Sequence, residues 1–158
     1  MMINNQEKIL LTLEGLEKMK KEYEELISER RKEVALRIQN ARALGDLSEN
    51  AEYDSAREEQ AQLEGRIAEL EETMKRAEVV KNNKCSVEVG VGCHVRVHLE
   101  GKNEEFHIVG APEADPTSGK ISHESPLGQA LLGKKVGEKI EVEAPVGKLI
   151  YKILDIIF

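Results

Sequence analysis

Apolar residues spaced alternately three and four positions apart run through one long stretch of this chain. They are Tyr53, Ala56, Leu63, Ile67, Leu70, Met74 and Ala77, with Gln60 in the one polar place of the series. This spacing is typical of the seam of an α-helical coiled coil. It predicts a long helix whose apolar stripe must be buried against a second helix.

A second helical pattern precedes this one. It opens at Thr12, a candidate N-cap, and its apolar residues fall in two registers: Leu16, Met19, Tyr23 and Leu26, then Ile27, Val34, Ile38 and Ala41. The pattern ends at Leu44-Gly45, where glycine can take the left-handed conformation that stops a helix. Because a short link makes the two helices antiparallel neighbours, residues 1–80 are predicted to form a coiled-coil hairpin with its tip near residues 44–50.

The predicted tip reads Gly45-Asp46-Leu47-Ser48-Glu49-Asn50-Ala51-Glu52-Tyr53 and is rich in carboxylates. Asp46 and Glu49 share one side if the second helix begins between them, at about Ser48. They could then present a pair of hard oxygen ligands at the end of the hairpin. They could equally form a capping box, with Asp46 as N-cap and Glu49 as its partner. The two interpretations are compatible, since a capped turn is also a rigid one.

The period of the apolar pattern changes to two after a polar linker at residues 79–84. Val95, Val97 and Leu99 alternate with polar residues, which predicts a strand with one buried face. A returning strand at residues 106–109 and strands at 139–143 and 149–157 follow, and Ser125-Pro126 opens a short helix that Gly133 ends. Residues 81–158 are therefore predicted to form a small α+β domain, an antiparallel sheet with one helix.

The charge of the chain is concentrated in the predicted hairpin. Charged residues make up 34% of the 158 residues and aromatic residues 3%, and the formal net charge is −7. Residues 1–80 hold 13 Lys/Arg and 19 Asp/Glu, a net charge of −6. An acidic chain with few aromatics lacks the basic field and stacking surface that bind free DNA or RNA. A nucleic-acid function would need a partner that supplies positive charge.

Two cysteines, Cys85 and Cys93, match neither a disulfide framework nor a zinc motif. The first residues lack the basic start and apolar run of a signal peptide, and no apolar stretch approaches the roughly 20 residues that span a bilayer. We therefore expect a cytoplasmic protein without a membrane partner, in which both thiols are reduced.

The tip sequence, with Ala56-Arg57-Glu58 after it, resembles that of the GreA/GreB family of bacterial transcript-cleavage elongation factors. A second signature runs from Ser125-Pro126-Leu127-Gly128 through Ala130-Leu131-Leu132-Gly133-Lys134 to Gly137-Glu138. The resemblance covers almost the whole chain. Its net acidic hairpin favours the GreA-like subtype, because GreB-like members carry a broad basic patch along this element.

The resemblance implies a specific function. Such factors insert the coiled coil into the secondary channel of RNA polymerase, while a C-terminal domain similar to FKBP-type isomerases docks on the channel rim. The residues matching Asp46 and Glu49 help hold a Mg²⁺ ion in the polymerase's own active site, so the factor, expected to be a monomer, needs no cofactor of its own. It is not an enzyme itself but stimulates the polymerase to cleave backtracked nascent RNA.

The resemblance also suggests contacts for other residues, each with a simpler alternative. Arg42 and Arg57 would contact the 3′ segment of the RNA, or else form a solvated face with ion pairs to Glu58 and its neighbours. Tyr53 could stack on a base or pack in the seam. Ser125 and Pro126 could face the polymerase rim in addition to opening the short helix.

Other functions remain open at this point. Some relatives keep the fold but block the polymerase channel without promoting cleavage; they depart from the Asp-Leu-x-Glu-Asn pattern that this chain keeps. A plain coiled-coil adaptor would tolerate changes at the tip. His94 and His98, with the cysteines nearby, could bind a metal, although their spacing matches no zinc pattern. Prolyl isomerase activity would need an aromatic-lined pocket, for which the second half offers only Phe106, Tyr151 and Phe158.

Overall fold

The computed structural model describes residues 8–43, 50–80, 85 and 87–157 of the chain. It divides into two compact units. One unit, which we call the finger, is Leu16–Arg76. The other, which we call the β-unit, consists of the residues up to Gly15 together with those from Ala77 onward. The sequence predicted a hairpin domain of residues 1–80. In this division the two ends of that range, up to Gly15 and from Ala77 onward, belong to the β-unit.

Helices account for the finger. Helix α1 spans Leu13–Glu25, a π-helical segment spans Leu26–Arg30, α2 spans Arg31–Ala43 and α3 spans Ala51–Arg76. The predicted seam forms the core between them, with Val34, Ile38, Ala56, Leu63 and Ile67 buried and Tyr23, Leu26, Ile27 and Tyr53 packed against them. The predicted helical hairpin is confirmed, and α3 ends one residue before the last seam position.

The π-helical segment explains the change of register in the first arm. A π turn takes one residue more than an α turn, so the apolar stripe moves forward by one position where it occurs. Leu26 closes the first register and Ile27 opens the second, and both lie half-buried against the finger core. The segment therefore keeps the stripe facing α3 along the whole arm.

Ion pairs between the two arms follow the same antiparallel order. Arg66 binds Glu22 at 2.8 Å, Arg31 binds Glu64 at 2.5 Å, and Arg30 binds Glu59 at 2.8 Å. Glu22, near the start of the first arm, has its partner towards the end of α3, and the partners of Arg30 and Arg31 lie nearer the start of α3, as antiparallel arms require. These pairs are exposed, so each is worth at most about 1 kcal/mol, and the free energy of the finger comes mainly from its apolar seam.

The two ends of the hairpin meet in a parallel strand pair that the sequence pattern did not reveal. Strand β1, Ile9–Leu11, pairs in parallel with β2, Ala77–Val79. Leu11 is completely buried. Helix α1 begins directly after β1, with Thr12 as the expected cap: its hydroxyl accepts a hydrogen bond from the Gly15 amide at 3.0 Å.

Glu113 holds the start of α1 from the other side. Its carboxylate accepts a hydrogen bond from the Thr12 amide at 2.7 Å and a second one from the Thr12 hydroxyl. A Cβ on Gly15 would collide with the Glu113 side chain, at 2.0 Å from Oε1. A larger residue at this position would displace the Glu113 side chain from its hydrogen bonds to Thr12, which favours glycine here.

A five-stranded sheet forms the body of the β-unit, in the order β5-β4-β3-β7-β6. The strands are β3 His94–Leu99, β4 Lys102–Val109, β5 Lys120–Ser122, β6 Lys139–Ala144 and β7 Gly147–Ile157, with helix α4 at Pro126–Leu131. The α+β class is confirmed. The expectation of a purely antiparallel sheet is wrong in one place, because β5 returns past two short 3₁₀ turns and pairs with β4 in parallel.

The alternating pattern of β3 correctly identified the buried face of the sheet. Val95, Val97, Ile108, Leu131 and Ile153 have no exposed surface. Phe106 and Tyr151 pack edge to face within this core, with their ring centres 6.4 Å apart.

The two cysteines are bonded to each other, so the expectation of two free thiols is wrong. Cys85 and Cys93 have Cα atoms 5.6 Å apart, a separation that a disulfide spans, and both are buried. Backbone hydrogen bonds hold the intervening segment in place, from the Gly92 amide to Ile108 at 2.6 Å and from the Val89 amide to Lys134 at 2.8 Å. The sequence could not show that this segment folds back on itself.

Within the described ranges, no helix combines the length and apolar character needed to cross a membrane.

Truncating the finger core should destabilise it measurably. Ile67 is only 3% exposed, so Ile67→Ala should lower the free energy of unfolding by about 2–4 kcal/mol through lost burial and a cavity. Thermal and urea unfolding, followed by circular dichroism at 222 nm, would measure this. Leu36→Ala is the control, since Leu36 is 57% exposed and should change stability by less than about 0.5 kcal/mol. Equal losses of stability in the two variants would contradict the burial of Ile67 in the seam.

Reduction of the disulfide should destabilise the β-unit. The chain-entropy model gives about 2.5 kcal/mol for closing a loop this short. We expect iodoacetamide to add nothing to the unfolded protein without reductant and two groups after reduction, as measured by intact mass. The double variant Cys85→Ala, Cys93→Ala should unfold at the same temperature with or without reductant. Two alkylated thiols without reductant, in protein purified under air, would contradict the pairing.

Candidate functional site

The end of the finger, where α2 and α3 approach each other, is the candidate functional site. Asp46 and Glu49, the predicted oxygen ligands, lie in residues 44–49, outside the described residues. The described structure reaches Ala43 on one arm and resumes at Asn50 on the other. The described part of the site consists of the residues that border this segment.

Asn50 caps the second helix. Helix α3 begins at Ala51, and the Asn50 side-chain oxygen accepts a hydrogen bond from the Tyr53 amide at 3.1 Å. The first α-helical hydrogen bond runs from the Asp54 amide to the Asn50 carbonyl at 3.2 Å. The expected helix start at Ser48 is thus wrong, because asparagine immediately before the helix satisfies the free amide. The capping role expected for Asp46 falls outside the described residues.

The same asparagine reaches the other arm. Its side-chain nitrogen donates a hydrogen bond to the Ala41 carbonyl at 2.7 Å. Ala41 lies in the last turn of α2, where carbonyls lack a partner within the helix. No role was predicted for Asn50, although an asparagine immediately before a helical pattern is a recognisable cap signal. Nothing local could have shown the bond to Ala41.

Arg42 and Tyr53 form a second contact between the arms. The Arg42 guanidinium carbon lies 5.6 Å from the centre of the Tyr53 ring, a cation–π distance, and a guanidinium nitrogen lies 3.4 Å from the phenol oxygen. This hydrogen bond, with the positive charges of Arg42 and Arg57, lowers the pKa of the Tyr53 phenol. Tyr53 also packs against the finger core, so the packing role expected for it is present.

Arginines near the end of the finger fall into two groups. Arg37 is held by two carboxylates, Glu52 and Glu59, each at 2.6 Å. Arg57 donates instead to the neutral amide of Gln60 at 2.6 Å, and Arg42 contacts the neutral Tyr53. Among the described residues, no carboxylate lies within ion-pair distance of Arg42 or Arg57, so the ion pairs expected with Glu58 do not form there.

Ser125 and Pro126, the predicted docking residues, open helix α4 in the β-unit. The Ser125 hydroxyl accepts a hydrogen bond from the Gly128 amide at 3.0 Å and donates one to the Ser122 carbonyl at 2.7 Å. Both hydroxyl functions are thus used inside the protein, which confirms the capping role. Pro126 is exposed.

The histidines do not form the metal site considered from the sequence. His94 stacks on His107, with ring centres 4.0 Å apart, whereas His98 binds Asn103 at 2.8 Å. Stacked imidazoles direct their nitrogen lone pairs along nearly parallel planes and so do not converge on one ion. In the part of the chain that the structure describes, no three His, Cys, Asp or Glu side chains could hold a metal together.

Comparison with known proteins agrees with this architecture. The family model "Transcription elongation factor, N-terminal" matches residues 9–79, and the model "Transcription elongation factor, GreA/GreB, C-term" matches residues 83–158. Together they account for nearly the whole chain. The protein belongs to the GreA/GreB family of transcription elongation factors, a class of factor and not of enzyme.

Individual relatives are similar over their full length. Transcription elongation factor GreA of Caldanaerobacter subterraneus is 54% identical, with 94% of this chain and 96% of the relative covered. GreA of Bacillus subtilis is 48% identical, with 96% and 98% covered. Among solved structures, GreA factor homolog 1 (Gfh1) of Thermus thermophilus is 29% identical, with 94% of this chain and 98% of that chain covered and a TM-score of 0.45.

Tyr53 should be the first of the three tyrosines to ionise. The hydrogen bond to Arg42 lowers its pKa, whereas a hydrogen bond to Glu71 raises the pKa of Tyr23 and burial raises that of Tyr151. Spectrophotometric titration at 295 nm should resolve one early phenolate. Arg42→Gln should move this transition to higher pH, and Arg57→Gln should move it less. An early transition that is unchanged in Arg42→Gln would contradict the contact.

Proposed function

We propose that this protein enters the secondary channel of a bacterial RNA polymerase and stimulates Mg²⁺-dependent cleavage of backtracked nascent RNA, thereby rescuing arrested complexes. The observation that carries the proposal is the sequence Asp46-Leu47-Ser48-Glu49-Asn50, which connects the two antiparallel helices at the end of the finger. Family membership and the names of the full-length relatives support it.

The donor set of this segment suits Mg²⁺. Asp46 and Glu49 offer carboxylate oxygens, and protein sites commonly hold Mg²⁺ through one or two carboxylates while it keeps several waters. A magnesium ion held in this way can activate water and stabilise the leaving oxygen in phosphodiester hydrolysis. Two carboxylates bind the ion weakly by themselves, so the polymerase must supply the remaining ligands.

Charge along the finger fits a contact made inside a partner. Arg42 and Arg57 keep guanidinium groups free of described carboxylates, and the Arg42 guanidinium already lies over an aromatic face. These two arginines are the candidates for contact with the extruded RNA 3′ segment. Salt bridges occupy Arg30, Arg31 and Arg37 within the finger, so they are less suited to bind phosphate. Ser125 and Pro126 remain candidates for the polymerase rim.

Removing one tip carboxylate should abolish stimulation without unfolding the protein. A backtracked elongation complex with labelled RNA would be incubated with wild type, Asp46→Asn or Glu49→Gln, and the transcripts resolved on a gel. We expect shortened RNA with wild type only, because a neutral amide is a poor Mg²⁺ ligand. Both variants should keep the melting temperature of wild type and compete with it for the polymerase.

Glu24→Gln is the matched control, since it removes one exposed carboxylate from α1 of the same finger and should retain full stimulation. Wild-type protein that leaves transcript lengths unchanged while slowing the polymerase would instead identify a channel-blocking inhibitor. Full stimulation by either tip variant would exclude the proposed role of the carboxylates.

A further inference from the structure

Asn50 joins the free ends of two helices with one side chain. Its oxygen accepts from the Tyr53 amide in the first turn of α3, and its nitrogen donates to the Ala41 carbonyl in the last turn of α2. Each of these backbone groups belongs to a helix terminus, where no partner within the helix is available. The Asn50 side-chain amide therefore connects the end of α2 to the start of α3.

Capping alone does not require asparagine here. Serine and aspartate cap helices about as well, but a carboxylate has no donor and a serine hydroxyl is too short to span to the other helix while it caps. Among the preferred cap residues Ser, Thr, Asp and Asn, only asparagine carries a donor and an acceptor on separate atoms. The bond to Ala41 is thus the property that distinguishes asparagine from its equivalents.

The surrounding packing makes this bridge short and well defined. Ala41 is 1% exposed and Ala56 is completely buried, and such small side chains let the helix backbones approach closely. The Arg42–Tyr53 contact joins the arms beside it. The separation of the end of α2 from the start of α3 is consequently set by specific bonds and not by the apolar seam alone.

We propose that Asn50 is a positioning residue for cleavage: by connecting the end of α2 to the start of α3, it sets the geometry in which the intervening residues deliver their carboxylates. This inference rests on the function proposed above. The residues proposed for the polymerase rim, Ser125 and Pro126, lie in the β-unit, so the loss of this bridge should lower the cleavage rate of the bound factor and leave its affinity for the polymerase unchanged. A displacement of about 1 Å in catalytic geometry can cost up to about 100-fold in rate.

Asn50→Ser tests the inference, since it keeps the cap, removes the bond to Ala41 and adds no charge. Cleavage rate would be measured against factor concentration and, separately, against Mg²⁺ concentration. We expect a maximum rate lowered roughly tenfold, an unchanged half-saturating factor concentration and a higher Mg²⁺ requirement. Asn40→Ser, the same substitution at an exposed position of α2, is the control and should behave as wild type.

Two further variants separate positioning from folding. Asn50→Asp also keeps the cap and loses the donor, so it should show a similar loss, whereas Asn50→Ala loses both bonds and should in addition lower the melting temperature. A wild-type maximum rate in Asn50→Ser, or a loss explained by weaker binding, would overturn the inference while the proposed function stands. Wild-type protein without stimulation would instead overturn the proposed function, and this inference with it.

Discussion

The packing of α2 against α3 is the interaction on which the finger depends. Each exposed ion pair of the finger contributes little to its stability. The other polar contacts connect helices that the apolar seam already holds together. Large side chains, Leu63 and Ile67, fill the seam along part of its length, and small ones, Ala41 and Ala56, fill it near the free end. At that end a single side-chain amide, that of Asn50, connects both backbones.

Periodic and local features of the fold were predictable from the sequence. The seam of α3 and the alternation of β3 each repeat a burial pattern that secondary structure imposes on side chains. Ser125 and Thr12 cap their helices as expected, because capping depends on residues only three positions apart. The acidic tip was recognised from its residues, although its geometry lies outside the described part of the chain.

Features that depend on distant residues were not predictable. The parallel pairings of β1 with β2 and of β5 with β4 join segments whose own patterns are too short to specify a partner. The disulfide needs a backbone that returns upon itself. The π-helical segment was visible only as a shift in the apolar register. The bond from Asn50 to Ala41 was not predictable for the same reason, since its acceptor lies on the opposite helix.

The pairing of β1 with β2 also sets the earliest moment during synthesis at which the first strand can find its partner. Ile9 is aligned with Ala77, so the first strand has no partner until the whole finger has left the ribosome. Local helices can form much earlier, because their contacts need little chain. Leu11, which is wholly enclosed in the finished protein, is thus left open to water and chaperones throughout that interval.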